Sequence, residues 1–256
     1  MEHYFNIGKN LQQENFKEIL QKMSNVFGWE ILEGTNLLAL KAPVAINFVN
    51  FVWGETTLSN IEKVKVFYKN TQFTWLVAPQ INADNLKCGG FALDDLVSTE
   101  MVLNISEYIT PTIPSNIQII IPKTNEELQI WTNTAIATFE CSSDGFKEFF
   151  YPLIKVAKCI PFLLMYDNQP AATAMVYCGN NVAGVYCMST LTAYRHKCLG
   201  TAAVNACILL AKSKNLHHAI LYASQLGRPL YAKLGFKEIQ ILQEYHLENT
   251  LEQSNA

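Results

Sequence analysis

The chain has 256 residues, half of them apolar and 16% charged, which excludes a disordered chain and leaves room for one large domain or two of ordinary size. Nineteen basic residues against 22 acidic ones give a formal net charge of −3. That balance excludes a broad polyanion groove, so neither nucleic acid nor an anionic membrane surface is an expected partner.

In chain order, Phe16, Ile19, Leu20, Met23, Val26 and Phe27 form a helical stripe across residues 10–27. Strand-like runs follow at 29–32, 37–41 and 46–53, and a helix over 57–70 turns Leu58, Ile61, Val64 and Phe67 inward behind Thr57 as N-cap. A strand at 73–77, a short helix at 82–88 and a strand at 99–105 complete the first half. Residues 106–116, with Pro111 and Pro114, read as a linker between domains at 1–105 and 117–256.

The second half opens with a strand at 117–121, then helices at 125–139 and 144–157. Strands at 162–166 and 171–178 flank the turn residues Asp167, Asn168, Gln169 and Pro170. A strand at 182–190, a loop, a helix from Gly200, a further strand, a short helix and a last strand at 237–247 end the ordered chain. In the helix, Val204, Cys207, Ile208 and Ala211 share one buried face.

Seven cysteines (Cys88, Cys141, Cys159, Cys178, Cys187, Cys198 and Cys207) show no CxxC spacing, and no His/Cys cluster suggests zinc or another metal. Mostly apolar surroundings point to buried reduced thiols in a reducing compartment. The start, MEHYFNIGKN, lacks the apolar core of a signal peptide, and no apolar run approaches the roughly 18 residues of a membrane helix. The expectation is a soluble cytoplasmic protein; monomer and homodimer stay open.

The loop Arg195-His196-Lys197-Cys198-Leu199-Gly200 ends at a helix start, where amides without internal acceptors and the positive end of the dipole can hold a phosphate. This loop resembles the Arg/Gln-x-x-Gly-x-Gly/Ala pyrophosphate loop of the GCN5-related N-acetyltransferase (GNAT) superfamily, with Cys198 in place of one glycine. Leu230-Tyr231-Ala232-Lys233-Leu234-Gly235-Phe236 resembles its second signature, and the order β–α–α–β–β–β–α–β–α–β over 117–247 is similar to its fold. Sliding the chain by 145 positions lays 73–91 onto 218–236, with Leu76, Ala78, Gln80, Gly90 and Phe91 on Leu221, Ala223, Gln225, Gly235 and Phe236. Together with the run from Ala223 to Tyr231 (ASQLGRPLY), this resembles a GNAT subset with a degenerate first half and a complete second one. The implied class is a mixed α/β fold of tandem GNAT-like units.

The resemblance implies acetyl-CoA as co-substrate and an unidentified primary amine as acceptor. It implies that Met188, Ser189 and Thr190 line the pantetheine arm, with the Met188 N–H aimed at the thioester oxygen. Backbone amides of His196, Lys197, Cys198, Leu199, Gly200 and Thr201 would cradle the pyrophosphate, with Arg195 framing the loop and Ser224 near the cofactor arm. Tyr231 would protonate the departing thiolate. No carboxylate lies in 182–190, so the general base is unassigned, with Glu140, Asp144, Glu148, a water chain and the backbone as candidates. The alternative is a weak or inactive protein on the same scaffold that binds acyl-CoA or a partner in a regulatory role.

Overall fold

The computed structural model describes residues 11, 14–19, 21–23, 28–42, 50–69, 71–139, 143–179 and 181–248, with side chains at 143–148 outside that set. The strands are β1 (Glu30–Gly34), β2 (Leu37–Lys41), β3 (Phe51–Gly54), β4 (Thr74–Val77), β5 (Phe91–Asn104) and β6 (Ile117–Ile120) in the first part. They continue with β7 (Ile160–Tyr166), β8 (Gln169–Cys178), β9 (Val182–Thr190), β10 (His218–Ala223) and β11 (Lys237–Leu247). The helices are α1 (Leu58–Tyr68), α2 (Asp84–Cys88), α3 (Asn125–Phe139), α4 (Ser143–Lys155), α5 (Leu199–Ser213) and α6 (Arg228–Lys233), behind a helical segment at 14–19 and 21–23.

All eleven described strands join one mixed sheet in the order β1-β2-β3-β4-β11-β5-β10-β9-β8-β7-β6. The displacement of 145 carries β4 onto β10 and β5 onto β11, and the pairing follows it. β3–β4 and β9–β10 are parallel, whereas β4–β11 and β10–β5 are antiparallel. The last strand of each half therefore pairs with the other half, and β5 meets β11 along the middle of the sheet.

Local chemistry explains the elements that frame the site. Asp167 and Asn168 take φ of 48° and 62°, the two positive values a tight two-residue hairpin needs, so β8 starts at Gln169, earlier than the turn composition implies. Residues 91–98 extend the strand expected at 99–105 into β5, one 14-residue element. On one sheet face α5 buries Leu199, Ala202, Ala203, Val204, Cys207, Ile208 and Ala211, and the small residues let helix and sheet approach closely. On the other face α3 and α4 pack Trp131, Phe150 and Leu153 against Leu163, Met175 and Tyr177. The Trp131 indole donates to the Phe162 and Ala174 carbonyls at 3.1 and 3.2 Å, which satisfies its buried N–H.

The N-terminal helical segment is stitched to that second face. Asn15 Nδ2 donates to the Val182 carbonyl at 3.1 Å, Tyr186 donates to Asn15 Oδ1 at 2.6 Å, and Tyr177 donates to Glu18 Oε1 at 2.7 Å.

Candidate functional site

β9 and β10 part company after three residue pairs. Val182, Ala183 and Gly184 pair with His218, Ala219 and Ile220, and beyond them β9 pairs only with β8 while β10 pairs only with β5. The backbone of residues 185–190 thus faces a gap on its β10 side. In the β8–β9 ladder Thr173 opposes Ser189 and Met175 opposes Tyr186, so three steps on β9 match two on β8. The extra residue is a bulge at Cys187–Met188, and Cys187 carries it with φ of +51°.

Thr173, fully buried, pins that bulge. Its Oγ1 donates to the Cys187 carbonyl at 2.9 Å and, its one proton being used, accepts from Ser189 Oγ at 2.7 Å. Thr173 carries no signal in the sequence, where it reads only as a good strand former. Met188 packs on the α5 face, in the same cluster as Tyr231.

Past β9, residues 192–194 form a 3-10 turn and Arg195 returns to extended backbone. Lys197 Nζ sits 4.5 Å from the Tyr166 ring centroid and 5.4 Å from that of Tyr194, which anchors the basic loop by cation–π attraction. His196 and Cys198 both take φ of 62°, and Cys198 is the N-cap of α5 with no capping side chain. The first helical bond is from the Ala202 N–H to the Cys198 carbonyl, so the amides of Leu199, Gly200 and Thr201 have no acceptor among the described residues. The first turn holds no acidic side chain, and the Cys198 thiol is exposed, pointing away from the core. Three bare amides, a dipole and three basic residues therefore form a fitting cradle for an anion. A Cβ on Gly200 would come 2.7 Å from Leu230 Cδ2, so this glycine also lets α6 seat against α5.

Tyr231 is buried on α6, its ring 5.9 Å from that of Phe236. Its hydroxyl makes no hydrogen bond to a described residue. Burial, aided by the nearby Cys207 thiol, holds the phenol well above its ordinary pKa. Ser224 Oγ accepts from the Gly227 N–H at 3.2 Å and so supports the start of α6, while its own proton stays available for donation.

Glu140 lies outside the described residues, as do the side chains of Asp144 and Glu148. A different carboxylate stands close to the gap. Glu100 of β5, 2% exposed, accepts from the Tyr222 hydroxyl at 3.0 Å and from Gln240 Nε2 at 2.5 Å. Tyr222 lies on β10 two residues beyond the last β9–β10 pair and also accepts from Trp53 Nε1 at 3.1 Å. Its place in the first half, far from the loop and tyrosine motifs, hides Glu100 from a motif-based reading.

Residues 126–236 match the model described as the acetyltransferase (GNAT) family. This stretch is similar to the GNAT family. A GCN5-related N-acetyltransferase from Kribbella flavida shares the wider fold at a TM-score of 0.66 and 15% identity, over 91% of this chain and 94% of that one. A conserved protein of unknown function from Staphylococcus epidermidis gives 0.66 at 12% identity, over 88% and 96%. A tandem GNAT protein from the clavulanic acid biosynthesis pathway gives 0.56 at 12% identity, over 82% and 77%. At these identities the likeness is one of fold, and no curated protein matches the sequence. The GNAT fold here is a mixed sheet with helices on both faces. Among the described residues no helix is long and apolar enough to cross a membrane, and no group of three or more His, Cys, Asp or Glu side chains gathers to hold a metal.

Proposed function

We propose that the chain is an acyl-CoA-dependent N-acyltransferase that passes the acyl group, acetyl in the simplest case, directly to a primary amine. The observation that carries this reading is the juxtaposition of the β9–β10 gap, the bulge at Cys187–Met188 and the uncapped start of α5. Amides of Leu199, Gly200 and Thr201 hold the pyrophosphate, helped by Arg195, His196 and Lys197. The backbone of Met188, Ser189 and Thr190 pairs with the pantetheine arm like an added strand.

In the reaction, the amine nitrogen bonds to the thioester carbon and the Met188 N–H stabilises the oxyanion that forms. The C–S bond then breaks, the thiolate takes the Tyr231 proton, and the amine loses one proton to a base. Glu100 fills that last role through the Tyr222 hydroxyl, in place of the carboxylate missing from β9.

The tandem reading belongs to the same proposal. Residues 1–105 form a degenerate GNAT-like unit, 106–116 the connection and 117–256 the complete unit, each half having lent its final strand to the other. The mirrored strand order about β11–β5 supports it, and so does the fold likeness to a tandem GNAT protein. A cytoplasmic setting, where free thiols stay reduced, belongs to the same proposal. Burial pushes Cys159 up to about 12 and Cys207 higher still, which keeps both protonated and inert.

The absence of any carboxylate from β9 favours one alternative, a scaffold that binds acyl-CoA or a partner without turnover. A melting shift with acetyl-CoA, followed by a free-thiol assay over a panel of primary amines, decides between them. Thiol release with any amine supports the enzyme, a shift without release supports the binding protein, and no shift removes both.

A further inference from the structure

The acyl end of the site has its own chamber. We propose, building on the acyltransferase reading above, that the transferred acyl group is larger than acetyl: a hydrocarbon body, straight or aromatic, lodged in the apolar cavity beside the β9 bulge. That cavity measures about 200 Å³ and touches Tyr186 and Cys187 on β9 and Tyr222 on β10. It therefore straddles the gap between the two strands, on the sheet face opposite α5. Ile19 of the N-terminal helical segment, Leu153 of α4 and Met175 of β8 close it.

Among the described residues no charged side chain lines this chamber, and its two tyrosine hydroxyls are already engaged, while the buried Trp29 indole N–H has no partner. The Tyr186 hydroxyl donates to Asn15 Oδ1 at 2.6 Å and the Tyr222 hydroxyl to Glu100 Oε1 at 3.0 Å. Burial keeps the Cys159 and Cys187 thiols protonated. An ammonium or carboxylate placed there would lose its hydration without finding a charge of opposite sign, and a carboxylate would meet one indole N–H, that of Trp29. A hydrocarbon carries no such penalty, and an apolar cavity of about 150 Å³ suffices for benzene. An acetyl methyl would leave most of the space unfilled.

The acceptor amine has other quarters. A larger cavity of about 800 Å³ is bordered by Glu14, Glu33, Glu55 and Glu100, with Lys17 on the same wall paired to Glu33 at 3.0 Å. One tyrosine stands between the two spaces, with the Tyr222 ring on the apolar side and its hydroxyl on Glu100. This division assigns the apolar chamber to the acyl group and not to the amine.

The test is calorimetric titration of the full chain, without amine, with CoA, acetyl-CoA, butanoyl-CoA and hexanoyl-CoA. Each added methylene is expected to tighten binding about fourfold, so that hexanoyl-CoA, with four more methylenes, exceeds acetyl-CoA by about 250-fold. Leu153→Trp fills the chamber and is expected to bring the hexanoyl-to-acetyl ratio close to one. Because a ratio within one variant is read, partial loss of folded protein cancels, and the wild-type series stands without the variant. Equal affinity for acetyl- and hexanoyl-CoA overturns the inference while leaving the CoA site standing. A gain that survives Leu153→Trp overturns the choice of chamber, and failure of CoA itself to bind overturns both the site and this inference.

Discussion

Thr173 Oγ1 lies 2.9 Å from the carbonyl oxygen of Cys187, the residue whose φ of +51° makes the bulge in β9. A buried hydroxyl thus holds open the strand geometry on which the gap depends. Thr173→Val keeps the shape but leaves the Cys187 carbonyl without its donor, at a cost of about 1–3 kcal/mol. A lower melting temperature with weaker CoA binding is expected, and Thr173→Ser should restore both.

Cys198 bears a left-handed backbone, φ 62°, without a side-chain cap to compensate. Left-handed geometry costs a non-glycine residue about 1–2 kcal/mol, of which a glycine gives back about 0.4–1 through its freer unfolded chain. Cys198→Gly should therefore gain up to about 1.6 kcal/mol in chemical denaturation and bind CoA more tightly. Cys198→Val should do the reverse.

Tyr231 is buried with its pKa raised, so the phenol keeps its proton throughout the neutral and mildly alkaline range. Since the protonated form is the one that serves the thiolate, no fall in kcat from this group is expected below pH ~10. Tyr231→Phe should lower kcat by about 100-fold or more with CoA affinity nearly unchanged. Steady-state rates over pH together with calorimetry on the variant check both parts.

Glu100→Gln preserves the volume at the Tyr222 and Gln240 contacts but removes the proton acceptor. A drop of about 100-fold in kcat, with KM for acyl-CoA held, is expected. Loss confined to KM would make Glu100 a binding group only.

β10 depends on β5, and β4 on β11, so neither half keeps its sheet when the chain is cut. The full chain is expected to unfold in one cooperative transition. A fragment of residues 106–256 should be aggregated or associated by size-exclusion chromatography, and adding 1–105 should rescue a monomeric complex. A folded, CoA-binding monomer of 106–256 would contradict the exchange.

Much of the second half was legible because its signals are local. The stripe Val204, Cys207, Ile208 and Ala211 is buried as a single face needs, and helix α3 spans the expected residues. The 145-residue displacement hinted at related halves, yet periodicity says nothing about which strand a strand pairs with, so the pairing of β5 with β10 and of β11 with β4 was invisible. Residues 91–98 of β5 alternate poorly because much of that stretch is solvent-exposed. The φ values of Cys187 and Cys198, residues that rarely adopt them, are imposed by the tertiary frame. Thr173 and Glu100 act at a distance in sequence from the motifs they serve, and no spacing rule reaches them.

The most direct measurement is amide hydrogen exchange, residue by residue, with and without CoA. Slowed exchange at Leu199, Gly200 and Thr201, together with those amides of residues 185–190 that face away from β8 into the gap, is the expected result, because among the described residues these amides have no acceptor until the ligand arrives. Tight CoA binding with unchanged exchange at all of these positions would contradict the site.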